Sequence, residues 1–379
     1  MPTPKLTRGT AIAIEARVIA GDTNRQITKK LGVSMGTVSN IRQGIVSKEA
    51  DLARAKKKEL AASSQYQDAQ KEILRLNDEL KMFTATADAT RHYRPTKIEP
   101  KHGGKGEATA VINLSDWHYE EEVNLAAVNG VNEYNPKIAH RRITEVLQSA
   151  AGIIDMCKTK SKIDTLIINL LGDMINGWLR DESLATNAMT PTKATLEVFD
   201  ELCSGIEFLR KETKVKEIII PCVCGNHGRI TQKKWSKLGA ETNFDWMIYQ
   251  LLARWFEAKH IKNVKFLLPQ GDMVYYTVYG RVIRVSHGDN IRYQGGIGGV
   301  HVPLRKAIDG WNTYKHADYN YFGHWHSDTT GEDYRMNGSV IGFNEFAIRI
   351  KARYQKPSQA FELQHPKYGA TGRFPIFVD

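Results

Sequence analysis

Five times between residues 109 and 330 a strand-length apolar or aromatic run stops at a cluster of Asp, Asn or His. The clusters are Asp116-x-His118, Gly172-Asp173, Gly225-Asn226-His227, Ser286-His287-Gly288-Asp289 and Gly323-His324-Trp325-His326. Runs such as AVINL and LIINLL, apolar throughout and polar only where they end, are what a sheet covered on both faces requires, with chemistry presented at the C-terminal strand ends. Helical patterns lie between the runs, from about Asn135, after Pro191, from about Gly239 and near 301–312, with further β runs at NVKFLL and MVYYTVY. The expected core is a mixed α/β sheet or two-sheet sandwich flanked by helices.

A single His at a strand end is ordinarily a hydrogen-bonded residue, and Gly-Asp is a common turn. Five such clusters in succession point instead to one site. Carboxylate, imidazole and amide donors suit borderline to hard divalent ions, and the absence of thiolates among them argues against a soft metal.

In order and chemistry the five clusters resemble the calcineurin-like metallophosphoesterase superfamily, over roughly residues 109 to 330. The resemblance implies a four-layer α-β-β-α sandwich over 108–379 and a two-metal centre. Carried over motif by motif, Asp116, His118, Asp173 and His326 hold one ion, and Asp173, Asn226, His287 and His324 the other, with Asp173 bridging. Manganese is the expected ion, with iron, zinc or magnesium as alternatives. Two such ions ~3.5 to 4 Å apart bind phosphate oxygens, lower the pKa of a shared water and aim it in line with the leaving oxygen.

His227 matches the residue that the family places beside the leaving oxygen as general acid or transition-state stabiliser. Asp or Glu commonly follows that His in the family, whereas this chain has Gly228 and Arg229, which leaves open what orients His227. Asn176, where the family often has Asp or Asn, is expected to orient the Asp116 or His227 neighbourhood. Asp289 either does the same for His287 or is a solvated turn. Arg180, Arg229, Lys233, Lys234, Arg292 and Tyr293 follow the metal motifs in loops and are expected to hold flanking phosphates. Gly295-Gly296-Ile297-Gly298-Gly299 lacks the strand-turn spacing of a dinucleotide fingerprint and reads as a flexible loop.

The chain carries 53 Lys and Arg against 42 Asp and Glu, and residues 1–107 contain 20 basic and 12 acidic side chains, a net of +8 out of +11. That asymmetry leans towards a polyanionic partner, although a modest basic excess is also common without one. The four cysteines, Cys157, Cys203, Cys222 and Cys224, form no C-x-x-C pair and read as reduced. No run of ~18 apolar residues occurs, and Glu15 interrupts the only signal-like stretch, so a cytoplasmic protein without membrane contact is expected.

Residues 8 to 45 hold three short helical patterns, the second capped by Thr23, the third by Ser34, and the two joined by Leu31-Gly32-Val33-Ser34. Ile27, Leu31, Val33, Val38 and Ile41 supply a small core, leaving Met35, Thr37, Ser39, Asn40, Arg42 and Gln43 outward. QITKKLGVSMGTVSNIRQG resembles the resolvase-like helix-turn-helix, with Thr28 where a small Ala is usual. The resemblance implies DNA contacts from Thr37, Ser39, Asn40 and Arg42, within a domain over 1–47. A trihelical protein-docking module is the alternative.

From 48 to 83 neither Pro nor Gly occurs, and Leu52, Ala55, Glu59, Ala62, Tyr66, Ala69, Ile73, Leu76, Leu80 and Phe83 alternate at spacings of 3 and 4. This predicts a coiled-coil helix that buries its stripe against a second chain, giving a dimer or higher homo-oligomer, or against its own catalytic domain. Pro95, Pro100 and three glycines make 84–107 a linker.

The leading functional expectation is a metal-dependent nuclease resembling the DNA-repair-exonuclease branch of the superfamily, directed to DNA by the N-terminal segment. A phosphomonoesterase or nucleotide phosphatase is the enzymatic alternative, and a DNA-binding or assembly protein with a degenerate metal centre the other. The joining of such a helix-turn-helix to such a catalytic domain also resembles phage and mobile-element proteins, implying a bacterial or phage-infected cytoplasm.

Overall fold

In the computed structural model residues 6–91, 106–179, 181–292 and 299–379 are described. The chain divides into two compact units, Met1–Lys101 and His102–Asp379.

The first unit is helical: α1 (Arg8–Ile19), α2 (Asn24–Leu31) and α3 (Met35–Arg91). Each start has a side-chain cap. Thr7 Oγ1 accepts from Thr10 N at 3.3 Å, Thr23 and Gln26 cap α2 reciprocally, and Ser34 Oγ accepts from Thr37 N at 3.1 Å. α2 ends at Gly32, whose φ of +64° is left-handed and costs glycine little. Ile14, Ile27 and Val38 are fully buried where the helices meet, with Val18, Leu31, Val33 and Ile41 packed on them.

α3 runs 57 residues, ~85 Å at 1.5 Å per residue, and so passes both 47 and 84, where the sequence suggested a domain boundary and the start of a linker. Gly36 and Gly44 each cost a helix only about 1 kcal/mol, and no Pro intervenes. Residues 92–105 of that linker lie outside the described residues. Leu52, Leu60, Tyr66, Ile73, Leu74 and Leu76 are each at least half exposed along α3.

The second unit is mixed α/β. Its elements are β1 (Gly106–Glu107), β2 (Thr109–Leu114), α4 (Pro136–Lys158), β3 (Ser161–Lys162), β4 (Thr165–Leu170), α5 (Asp181–Thr186), α6 (Pro191–Thr213), β5 (Glu217–Pro221), α7 (Phe244–Ala258) and β6 (Val264–Leu267). There follow β7 (Met273–Val278), β8 (Arg281–Ser286), α8 (His301–Asn312), β9 (Tyr319–Phe322), β10 (Thr329–Thr330), β11 (Tyr334–Met336), α9 (Glu345–Arg349), β12 (Ser358–His365) and β13 (Gly369–Phe377). Six strands form one sheet in the order β13-β12-β2-β4-β5-β6, five another in the order β10-β11-β9-β8-β7, and β1 pairs with β3.

Within the larger sheet β2, β4, β5 and β6 are parallel, while β12 joins β2 antiparallel. Strand alternation sends Ile112, Leu114, Leu166, Ile168, Ile218 and Ile220 to a core shared with the apolar stripes of α4, α6 and α7. The alternate residues Val111 and Ile167 meet Val274, Tyr276, Ile283, Val285, Tyr319 and Tyr321 of the smaller sheet. Phe322 and Met336 pack with Leu304 and Ile308 of α8.

The expected helix near Gly239 begins later. α7 starts after Asn243, whose Oδ1 accepts from Asp245 N at 2.8 Å and so sets the first turn there. Among the described residues, no helix is long and apolar enough to cross a membrane.

Candidate metal centre

The loops after β2, β4, β5, β8 and β9 carry the five polar clusters, and the parallel pairings make these loops leave their sheets at C-terminal strand ends. The turns are sharp. Asp116, His118, Asp173, His324 and His326 have φ of 53°, 46°, 54°, 68° and 50°, a region few non-glycine residues occupy. Five left-handed residues at one place are the concentrated backbone strain found at functional sites.

These turns bring the side chains together in two groups. Asp116, His118 and His326 offer donor atoms within 4.8 Å of one another, as do Asp173, His287 and His324. In the first group His118 Nε2 lies 3.1 Å from His326 Nε2, which is 3.4 Å from Asp116 Oδ1. In the second, His287 Nε2 lies 3.0 Å from Asp173 Oδ2 and 3.2 Å from Asn226 Oδ1. His118 and Asp173 also form a group with His227, which links the two.

The donor set fits divalent cations. Asp116 and Asp173 are fully buried, yet among the described residues neither is ion-paired with Lys or Arg. Burial would raise both carboxyls, but imidazoles overcome it: His326 acts first on Asp116, and His287 on Asp173, holding both below the usual carboxylate range. Burial likewise opposes charge on His287, but Asp173 outweighs it and pushes that imidazole up to about 10. His324 falls to about 4 through burial and the adjacent His287, and His118 falls well below its ordinary value through burial and His227. Buried carboxylates whose ion-pair partners among the described residues are imidazoles form a site that a metal cation would also neutralise.

Neighbouring acceptors aim the rings. His287 Nδ1 donates to Leu171 O at 2.7 Å, leaving Nε2 towards Asp173 and Asn226. His227 Nδ1 lies 2.9 Å from Asn176 Oδ1 and 3.1 Å from Asn176 O, two acceptors, so the proton sits on Nδ1 and Nε2 is the free nitrogen. His227 N donates to Asp173 Oδ1 at 2.7 Å. Asn176 therefore orients His227, and it also meets His118 Nδ1 at 3.3 Å.

The glycine after His227 has a steric cause. A Cβ on Gly228 would lie 2.5 Å from Asn243 Oδ1, inside the cap of α7. From that cap comes a residue the motifs did not single out. Asp245, fully buried, accepts from Asp173 N at 3.0 Å, Met174 N at 3.3 Å and Gly225 N at 2.9 Å. Burial, then Asp173, pushes its carboxyl up to about 7. Glu120, pushed up to about 7 by burial, similarly accepts from Asn176 N at 2.8 Å and Gly177 N at 2.7 Å. The signal for Asp245 was local, an Asn-x-Asp start to an apolar helical run, but its reach back to residues 173 and 225 was not visible there.

Removing that carboxylate strands three N–H donors, each worth about 1–3 kcal/mol when buried and unsatisfied. Asp245→Ala is therefore expected to lower the melting temperature by roughly 5 °C or more and weaken divalent-cation binding at this site about 10–100-fold. Calorimetry and isothermal titration check both effects, and Asp245→Asn, which keeps one oxygen acceptor, should be milder.

The expected phosphate-holding residues have varied placements. Arg229 uses its guanidinium on backbone carbonyls of its own loop, Asn226 O at 2.8 Å, Thr231 O at 3.1 Å and Gln232 O at 3.2 Å. Lys234 bonds Asp289 at 2.8 and 2.9 Å and approaches Asp272 at 3.3 Å, so Asp289 is hydrogen-bonded to a lysine and reaches His287 through charge. Lys233 and Arg292 are exposed. Arg180, Tyr293 and Gly295–Gly298 lie outside the described residues. In the first unit Asn40 is exposed, Thr37 and Ser39 are half-buried, and Arg42 is engaged with Asn24 Oδ1 at 2.8 Å and with Asp22 O.

No protein-family model and no curated protein matches the sequence. Among solved structures, the chain is similar to wild-type Vps29 complexed with zinc from Entamoeba histolytica (10% identity, TM-score 0.28, covering 70% of this chain and 99% of that one). It is also similar to a hypothetical protein from Pyrococcus horikoshii OT3 (13%, TM-score 0.33, 72% and 89%) and to a dimetal phosphatase from Danio rerio (10%, TM-score 0.32, 72% and 99%).

Proposed function

We propose that the second unit is a two-metal phosphoesterase of the calcineurin-like type with a four-layer α-β-β-α arrangement, and that its substrate is a phosphodiester of DNA. The observation that carries this reading is the pair of donor groups, Asp116-His118-His326 and Asp173-His287-His324, joined through His118, Asp173 and His227. Asp116, His118, Asp173 and His326 would hold one cation, and Asp173, Asn226, His287 and His324 the other; manganese is the first candidate. Bound there, the cations supply Lewis acidity at the phosphate and a water of lowered pKa. The protein's own part is proton placement. Asn176 keeps the proton of His227 on Nδ1, so Nε2, once protonated, donates to the departing oxygen.

For DNA the support is the basic excess of residues 1–107, a net of +8, on a segment with the trihelical pattern described. Thr37, Ser39, Asn40 and Arg42 of α3 are the proposed duplex contacts, and the exposed stripe of α3 is the proposed self-association surface. The test is hydrolysis of linear duplex, circular single-stranded DNA and p-nitrophenyl phosphate with manganese, before and after chelation. Chelator-sensitive cutting of DNA is expected. Activity confined to the monoester would replace the nuclease with a phosphatase, and none on any substrate would favour a binding protein.

A further inference from the structure

We infer that the stripe of α3 is covered by a second copy of the same helix running in the opposite direction, centred between Tyr66 and Ala69. The inference rests on the self-association reading and adds its direction and register.

Side-chain size decides the direction. In a parallel pair each stripe residue faces itself, giving layers of Ala55, Ala62 and Ala69 too small to fill the seam, and a Glu59 layer of like charges. In the antiparallel pair, positions whose numbers sum to 135 meet. Ala62 then faces Ile73 of the second copy, Ala69 faces Tyr66, Ala55 faces Leu80, and Glu59 packs its stem beside Leu76. Small meets large in the three layers that hold an alanine, and no acidic pair is buried.

Charge favours the same direction. The segment 54–58 contains Arg54, Lys56, Lys57 and Lys58, whereas 72–79 contains Glu72, Asp78 and Glu79 with one Arg75. Antiparallel pairing sets Lys58 beside Glu79 at both symmetric ends of the seam; parallel pairing lays the basic block along itself. Leu52, Tyr66, Ile73 and Leu76, from 50% to 72% exposed in the single chain, supply the apolar area.

This direction has a consequence for the trihelical ends. Met35 lies ~50 Å along the helix from the centre, so the two trihelical units stand ~100 Å apart. That is about three times the ~34 Å of one helical turn, so one dimer would reach half-sites about three turns apart.

Cysteine cross-linking of the full chain tests the register. In the antiparallel pair residue 62 lies ~16 Å along the seam from its own counterpart, beyond disulfide reach, but level with 73. Expected on mild oxidation is no new cross-link for Ala62→Cys or Ile73→Cys alone, and a covalent dimer joined 62 to 73 for the double variant, mapped by peptide mass spectrometry to separate it from the four native cysteines. A 62-to-62 or 73-to-73 bond in a single variant would overturn the direction. A dimer by sedimentation with no bond in any variant would overturn the surface, and a monomer by sedimentation would remove the self-association reading itself. Circular dichroism of each variant confirms that the helix is intact.

Discussion

Asp173→Asn is expected to lower kcat/KM for the proposed phosphoester hydrolysis roughly 1,000-fold, about 4 kcal/mol of transition-state stabilisation. The side chain keeps its shape. Asn can still accept from His227 N, the bond of 2.7 Å now made to Oδ1, so the loop should stay in place. What disappears is the negative charge between the two donor groups, 3.0 Å from His287 Nε2. Metal content by mass spectrometry should fall with activity, while the melting temperature moves by only a few degrees. A variant that keeps both its metal and its rate would remove Asp173 from the centre and the two-metal reading with it.

His227→Ala is expected to separate chemistry from metal binding. Its Nδ1 is committed to Asn176, and in the proposed reading it stands beside the leaving oxygen and not on a cation, so metal content should stay near that of the parent. Loss of a positioned proton donor lowers kcat about 100- to 10,000-fold, most for substrates with poor leaving groups and least for p-nitrophenyl esters, whose leaving group needs no proton. Asn176→Ala should follow the same leaving-group pattern with a smaller loss, because a misoriented imidazole still donates part of the time. Equal losses on both kinds of ester would make His227 structural.

Some of this molecule was legible residue by residue. The apolar runs before Asp116, Asp173 and Asn226 are β2, β4 and the end of β5, buried because helices cover one face of their sheet and the smaller sheet the other. Asn135 and Thr23 announced helix starts because a short side-chain oxygen can satisfy a first-turn N–H within its own few residues. Local rules misplaced the start of α7, because 231–243 passes no helix-forbidding residue and its cap at Asn243 is only one of several possible starts. They also set limits on α3 that the chain does not keep, since neither Gly44 nor the Thr-Ala tract after 83 is costly enough to stop a helix already formed.

The sequence by itself determined the donor types, their order and the apolar stripe of α3, because each depends on spacing along one strand or one helix. Spacing alone does not say which donors meet: the resemblance grouped His326 with Asp116 and His287 with Asp173, and the tertiary structure brings them together across 210 and 114 residues, since that depends on which strands pair and which loops share an edge. Only the tertiary structure decided that β12 lies beside β2 and that Asp245 and Glu120 fix the loops, whereas Asn176 beside His227 was already expected from its place three residues after Asp173. Hydrogen-bond partners drawn from distant segments leave no period in a sequence, because folding brings them together only after every intervening element has found its place.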